Sequence, residues 1–254
     1  MKISTKDITK YLNSSNKNFK TFDITYSKDD EKAIDNLQVD IKKDYNHYGT
    51  IDTMIGLPIF LKEIGPNSNT TVSKVEKLIN QLIKNCLLAW KKDYAWISVR
   101  ATIPTNEYDI PRWHKDGNFR GFDNSPDQSK FIIVLKGPGT LAIKQTKEVD
   151  EIFSNINQKE LETRRSLYNK YKRDLTYKES NDIYDKVNKK FRPMYVKALS
   201  KFKILQPNKL QALVFHTQTT LHSEPKTDVP RLFVSIMPGS KAFIEGFGSV
   251  IIKK

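Results

Sequence analysis

Four histidines occur in the 254 residues, at 47, 114, 216 and 222, and two of them stand where side chains could do chemistry. In PRWHKDGNF (111–119), His114 and Asp116 are two residues apart. On a strand, positions i and i+2 share a face, so an imidazole and a carboxylate could meet on one cation. The plain alternative is a loop in which the two never meet, because His-x-Asp pairs also arise by chance. In LVFHTQTTLHSEPKTDVPRLFVSI (213–236), the pattern reads as a strand, a loop carrying His222, a turn over 224–229, and a second strand opening with Arg231.

His222 can supply a third ligand to the His114–Asp116 pair. Two histidines and one carboxylate on one face of an octahedron form the facial triad of non-haem Fe(II) oxygenases. That arrangement leaves positions open for a bidentate 2-oxo acid and for dioxygen. Such a co-substrate also needs a cation for its far carboxylate. The planar fork of arginine suits this pairing. Arg231 follows His222 by nine residues, at the start of the next apolar strand.

The segments WHKDG, LHSEP and PRLFVSI, in that order, resemble the His-x-Asp…His…Arg signature of the Fe(II)/2-oxoglutarate-dependent oxygenase superfamily. The resemblance covers about residues 94–240. It implies a double-stranded β-helix, a jelly-roll variant with helices packed on one sheet. It implies Fe(II) held by His114, Asp116 and His222, and 2-oxoglutarate held by Arg231. It further implies hydroxylation of a C–H bond with decarboxylation of 2-oxoglutarate to succinate. Asp116 argues against a halogenase, where halide replaces the carboxylate. The chain departs from the pattern at Phe233, where many relatives carry serine; Ser235 lies two residues further along the same strand face. Arg100, Tyr108 and Thr140 are further candidates for contact with the co-substrate. The prime substrate does not carry over.

These residues need a scaffold. The clearest helix spans Thr71–Lys91, where Val72, Val75, Ile79, Leu82, Ile83, Cys86 and Trp90 recur at three- and four-residue steps. Asn69, Thr70 or Thr71 can cap it. Cys86 on that stripe reads as core. Strand patterns follow over Tyr94–Thr102, Lys130–Leu135, Thr140–Lys144, Leu210–Phe215, Pro230–Met237 and Val250–Ile252, with turns at Gly137–Gly139 and elsewhere. Many short strands between Gly/Pro turns suggest a jelly roll. The expected fold is therefore mainly β within an α+β class. Residues 1–93 form helical or irregular support; 1–50 read as irregular, with short apolar pieces such as Phe22–Tyr26 and with one strand and one short helix near Asp30–Tyr45. Jelly-roll strands occupy 94–145 and 202–254, and 146–201 is a charged helical insertion, all in one domain over 1–254. The insertion reads either as a lid offering Tyr168, Tyr171, Tyr177 and Tyr184 to a substrate, or as a bracket packed on the outer face.

The net charge is +14, and only eight of the 43 basic residues are arginine. A field of that sign attracts anions, which keeps nucleic acid or acidic protein open as a partner and supports a second reading, a non-catalytic basic jelly roll that binds a polyanion. A third is a cupin-like metal enzyme that uses no 2-oxoglutarate. One cysteine excludes an internal disulfide and suits a reducing compartment. MKISTKDITKYLN lacks the apolar core of a signal peptide, and no run reaches membrane-spanning length. The chain reads as intracellular and soluble. His216 reads as a packed neighbour of the site, His47 as surface, Trp113 and Phe119 as core or pocket lining, and Arg120 as a loop residue or an anion contact.

Overall fold

The computed structural model describes residues 1–16, 18–106, 109–117, 128–171 and 174–252. Tyr108, Phe119 and Arg120 lie outside them. In chain order the elements are α1 (Thr5–Leu12), β1 (Lys20–Asp23), α2 (Lys28–Asn36), β2 (Lys43–Gly49), a 3-10 turn (Ile51–Thr53), α3 (Leu57–Glu63), α4 (Asn69–Trp90), β3 (Tyr94–Thr102), β4 (Ser129–Lys136) and β5 (Leu141–Ile143). Then follow α5 (Lys147–Tyr168), α6 (Tyr177–Leu199), β6 (Ile204–Leu205), β7 (Gln211–His216), β8 (Leu221–Ser223), β9 (Arg231–Gly239) and α7 (Lys241–Ile252).

A six-stranded antiparallel sheet runs β1-β7-β4-β9-β3-β2, and a three-stranded sheet runs β6-β5-β8. His114 joins the smaller sheet through an isolated bridge to His222. From β3 onward the chain crosses between the sheets: β3, the His114 segment, β4, then β5 and β6, β7, β8, β9. That winding is a double-stranded β-helix, the expected jelly roll.

Period-two alternation sorts the large sheet's side chains. Ile97, Val99, Phe131, Ile133, Val214, Val234 and Ile236 face one way, into a core shared with α1–α4. Ile132, Val134, Leu213, Phe215 and Phe233 face the other way, toward Ala142 of the small sheet. The second set lines the barrel interior, and every polar residue in phase with it must point inward too. Arg100, Lys130, Arg231 and Ser235 hold such positions.

α4 presents the expected stripe and buries Cys86. Its cap is Ser68, whose hydroxyl accepts from the Thr71 amide, instead of Asn69, Thr70 or Thr71. Trp90 ties the helix to β4 by donating Nε1–H to Ser129 Oγ at 2.8 Å.

Two expectations about the chain's ends are corrected. The first 50 residues hold two helices and two strands. α1 is capped by Ser4 and α2 by a reciprocal Ser27–Asp30 box, and β1 and β2 form the edges of the large sheet. Val250–Ile252 is helical, not a strand, and belongs to α7. Ser240 Oγ accepts from the Phe243 amide at the start of this helix, and Phe243 and Ile244 bury against Tyr48, Tyr94 and Trp96. A short apolar run does not by itself distinguish a strand from a buried helix end. Among the described residues no helix is long and apolar enough to cross a membrane.

The segment 146–201 forms two helices. Phe153 meets Tyr195, and Arg164 meets Tyr184, so α5 and α6 run antiparallel. Their buried side chains Val149, Phe153, Ile183, Val187, Phe191 and Leu199 close over Trp113, Ile143 and Leu221.

Candidate functional site

His222 lies at the centre of β8 and not in a loop. Its backbone exchanges both hydrogen bonds with His114, each at 3.0 Å. A strand-like pair of this kind sets the two imidazoles side by side, with ring centroids 4.4 Å apart. Asp116 follows in irregular chain, so the i, i+2 rule of a regular strand does not place it. Gly117 has φ +77°, which glycine adopts without strain, and its amide donates to Thr217 O at 3.1 Å. This fixes the chain just after Asp116, whose Oδ1 lies 3.9 Å from His114 Nε2 and 3.7 Å from His222 Nε2. One ligating atom from each of the three residues lies within 4.8 Å of the other two.

The imidazole tautomers follow from their outer partners. His114 Nδ1 contacts Arg112 O at 2.8 Å, and His222 Nδ1 contacts Thr220 O at 3.2 Å. A carbonyl only accepts, so each Nδ1 carries the proton and donates. Each Nε2 then has a lone pair on the side of Asp116. The Nε2–Oδ1 distances are too long for hydrogen bonds. Burial, then the neighbouring His114, lowers the His222 pKa to about 4 despite Asp116, which favours the neutral, ligating form.

Sequence reasoning missed Lys130. It is 5% exposed, and its Nζ donates to Asp116 Oδ2 at 2.9 Å. Burial alone would raise the Asp116 pKa; His222, Lys130 and His114 outweigh it and hold the carboxyl ionised, well below the usual carboxylate range. Burial in turn pulls Lys130 below the ordinary lysine value, against Asp116. The available signal was period two: in SKFIIVLK, Lys130 is in phase with Ile132 and Val134.

Arg231 opens β9 and is 4% exposed. Its Nε donates to Pro138 O and its Nη2 to Thr140 Oγ1, both at 3.0 Å. The turn before β5 can reach it because Gly137 has φ +87° and no side chain; a Cβ there would stand 2.7 Å from Pro230 O. Thr140 thus contacts Arg231 itself. Phe233 lies between two guanidinium groups, 4.9 Å from that of Arg231 and 5.1 Å from that of Arg100. Ser235, in phase with Arg231, lines the same cavity.

That cavity holds about 200 Å³ and is lined by His114, Asp116, His222, Lys130, Arg231, Arg100, Thr140 and Ser235 among others. Glu224 also borders it, 3.7 Å from both Arg100 and Arg112. Against the effect of burial, His114, Arg112 and Arg100 hold Glu224 ionised with its pKa lowered to about 2. Neither Glu224 nor Arg112 stood out in the sequence. A second cleft of about 630 Å³ adjoins it, sharing Arg112 and His114, with α5 and α6 as its far wall. Of the six arginines among the described residues, five line one or other cavity.

The remaining candidates are structural. His216 is buried against Tyr11, with centroids 5.8 Å apart. His47 is half-buried, its Nε2 2.8 Å from Thr50 O, and not simply on the surface. Trp113 is buried in the core beneath the insertion and also lines the outer cleft.

No family model matches this chain, and no curated protein does. Among solved structures it resembles the Kdo hydroxylase KdoO, a non-heme Fe(II) alpha-ketoglutarate-dependent dioxygenase in complex with cobalt(II). That match has 11% identity and a TM-score of 0.48, covering 94% of this chain and 85% of that one. A Pseudomonas putida prolyl-4-hydroxylase matches at 10% identity and TM-score 0.42, over 93% and 99% of the two chains. A Trichoplax adhaerens prolyl hydroxylase with a hypoxia inducible factor peptide matches at 9% and 0.38, over 97% and 91%. At such identities function rests on the site's own geometry.

Proposed function

We propose that this chain, acting as one domain, is an Fe(II)- and 2-oxoglutarate-dependent oxygenase of the hydroxylase type. The observation that carries the reading is the tautomer pattern. Both imidazoles give their Nδ1 protons to backbone carbonyls and keep their Nε2 lone pairs beside an ionised carboxylate. Outer hydrogen bonds of this kind orient metal-ligating histidines. Two imidazoles and one carboxylate form the set that suits non-haem Fe(II). The donor set therefore fits the ion, with His114, Asp116 and His222 as its ligands.

Arg231 is the residue for the far carboxylate of 2-oxoglutarate. Pro138 O and Thr140 hold its guanidinium in place, so little side-chain freedom remains to be lost on binding. Arg100 and Ser235 line the same space. Tyr108 remains a candidate outside the described residues. When bound, the ion and co-substrate supply dioxygen activation coupled to loss of carbon dioxide, yielding succinate and a hydroxylated C–H bond. The chain's part is to orient the ligands and keep Asp116 ionised in a cavity of about 200 Å³. A non-catalytic polyanion binder has no use for such a part-buried cluster.

The test is a titration of the full chain with Mn(II), an inert stand-in for Fe(II). About one ion per chain is expected, lost in His114→Ala and in His222→Ala. Full stoichiometry in both variants would sink the assignment. On the Mn(II)-loaded chain, Arg231→Lys should weaken 2-oxoglutarate binding by roughly 1.5–3 kcal/mol per charge-assisted contact removed. Unchanged affinity would move the carboxylate site elsewhere, with Arg100 next.

A further inference from the structure

We propose that the outer cleft of about 630 Å³ is a substrate site for a small organic molecule bearing a phosphate or carboxylate group, anchored by Arg164, Asn188 and Arg192 on the helical insertion. The inference deepens the oxygenase reading and depends on it for what happens to the molecule once bound.

The two helices are patterned for a shared wall. On α5, Phe153, Asn157, Glu160 and Arg164 recur at helical spacing; on α6, Tyr184, Asn188, Phe191 and Tyr195 do the same. Each set forms one face, and both faces line the cleft. An insertion that served only to pack would present apolar residues there. These faces instead mix aromatic rings with amides and guanidinium groups.

The charge balance favours an anion. Arg112, Lys115, Arg164 and Arg192 line the cleft with one carboxylate, Glu160; Glu224 pairs with Arg112 at 3.7 Å and Asp150 with Lys115 at 2.8 Å from beside it, which leaves an excess of one positive charge. The two carboxylate oxygens of Glu160 are engaged by Arg164 Nη2 at 2.7 Å and by the Tyr195 hydroxyl at 2.9 Å. Two buried side-chain nitrogens on the wall, Arg164 Nε and Asn188 Nδ2, have no hydrogen-bond partner. Buried donors are costly unless paired. Both are donors only, and an oxyanion offers only acceptors; because both nitrogens are closed to solvent, a side-chain rotation must bring them to the cleft before phosphate or carboxylate can pair with them.

The site also connects to the chemistry. Arg112 Nη1 donates to the Tyr184 hydroxyl at 3.0 Å, and the Arg164 guanidinium lies 5.5 Å from that ring's centroid. Arg112 and His114 border both cavities. A molecule held at the insertion can therefore extend toward His114. The volume lies within the ordinary range for small ligands, roughly 300–1,000 Å³.

The test uses the full chain loaded with Mn(II) and 2-oxoglutarate, titrated calorimetrically with ribose 5-phosphate, with gluconate, and with uncharged ribose. Ribose 5-phosphate or gluconate should bind and ribose should not. Which anion binds more tightly identifies the group. Two variants should each weaken that binding about tenfold or more, the loss of one charge-assisted contact: the pair Arg164→Gln with Glu160→Gln, which leaves no orphaned charge, and Asn188→Asp, which adds a like charge with little change of shape. Mn(II) and 2-oxoglutarate affinities, measured alongside, should not change in either variant, which also reports that the fold is intact. No anion binding to the wild-type chain, or binding that both variants retain, would overturn the proposal. Anion binding that follows these expectations in a chain that takes up neither Mn(II) nor 2-oxoglutarate would uphold the cleft and refute the oxygenase reading instead.

Discussion

Lys130 shows how one residue balances the site in the absence of an ion. Its ammonium group is buried, 2.9 Å from Asp116 Oδ2 and 4.8 Å from the Trp96 ring centroid. Asp116 must stay ionised to serve as a ligand, and a buried carboxylate needs compensating charge. The Nε2 lone pairs turned toward it supply none; the lysine supplies a full positive charge. A divalent cation held by Asp116 would take over the same task. Lys130→Met should therefore destabilise the metal-free chain by about 3 kcal/mol, the low end for removing one partner of a buried pair. Saturating Mn(II) should restore more stability to this variant than it adds to the wild type. Chemical denaturation midpoints with and without Mn(II) measure both quantities. Equal gains in the two proteins would mean that Lys130 does not neutralise Asp116.

At the scale of elements, legibility followed periodicity. The core strands β3, β4, β7 and β9 and the helix α4 were readable because their apolar spacing is long and regular. The winding order, and so the meeting of His114, Asp116, His222 and Arg231, was implied instead by the resemblance that the ordered motif carries. What remained hidden depends on long-range pairing. β1 and β2 are short and mixed in character, and become strands only by adding to edges supplied by β7 and β3, nearly 200 and about 50 residues away in the chain. His114 is ordered by its bridge to His222, a contact its neighbours in sequence do not encode. Lys130 was obscured by lysine's usual place on surfaces. The insertion was legible as helix, but its face was not. Tyr168, Tyr171, Tyr177 and Tyr184 are all exposed, and of these Tyr184 lines the cleft, together with the buried Tyr195. Its buried residues continue into the barrel through Trp113, Ile143 and Leu221. That favours a fixed wall over a mobile lid. Amides across 183–199 should be protected from hydrogen exchange without any ligand, because opening them exposes a shared core. Phe191→Ala, a cavity costing about 3–5 kcal/mol, should accelerate exchange in α5 and α6 together and leave β4 and β9 protected. Protection of α6 only after Mn(II) and 2-oxoglutarate are added would restore the lid.

Over the whole molecule, the +14 charge divides by residue type. Five of the six arginines among the described residues line the two cavities, while Lys115 and Lys130 are the only described lysines that do. This division has a physical meaning. Arginine's planar fork recognises oxyanions with fixed geometry, whereas lysine is a hydrated point charge on a flexible stem. The cavities are thus equipped for recognition, and the remaining lysines spread a diffuse field over the surface. A diffuse field binds polyanions by counterion release, without sequence preference and with a steep dependence on salt. Mixed-sequence DNA and RNA should therefore bind weakly at low ionic strength and detach as salt approaches physiological levels. Arg164→Gln combined with Glu160→Gln leaves the net charge unchanged and should leave this binding unchanged as well, while weakening the small-anion probe. Fluorescence anisotropy with a labelled oligonucleotide, repeated across a salt series on both proteins, separates the two effects. Oligonucleotide binding that persists at physiological salt and falls in the cleft variant would make the cleft a nucleic-acid site and the lysine surface its approach. Binding that vanishes equally in both proteins leaves the surface field a means of gathering small anions near the cleft mouth, where the arginines select among them.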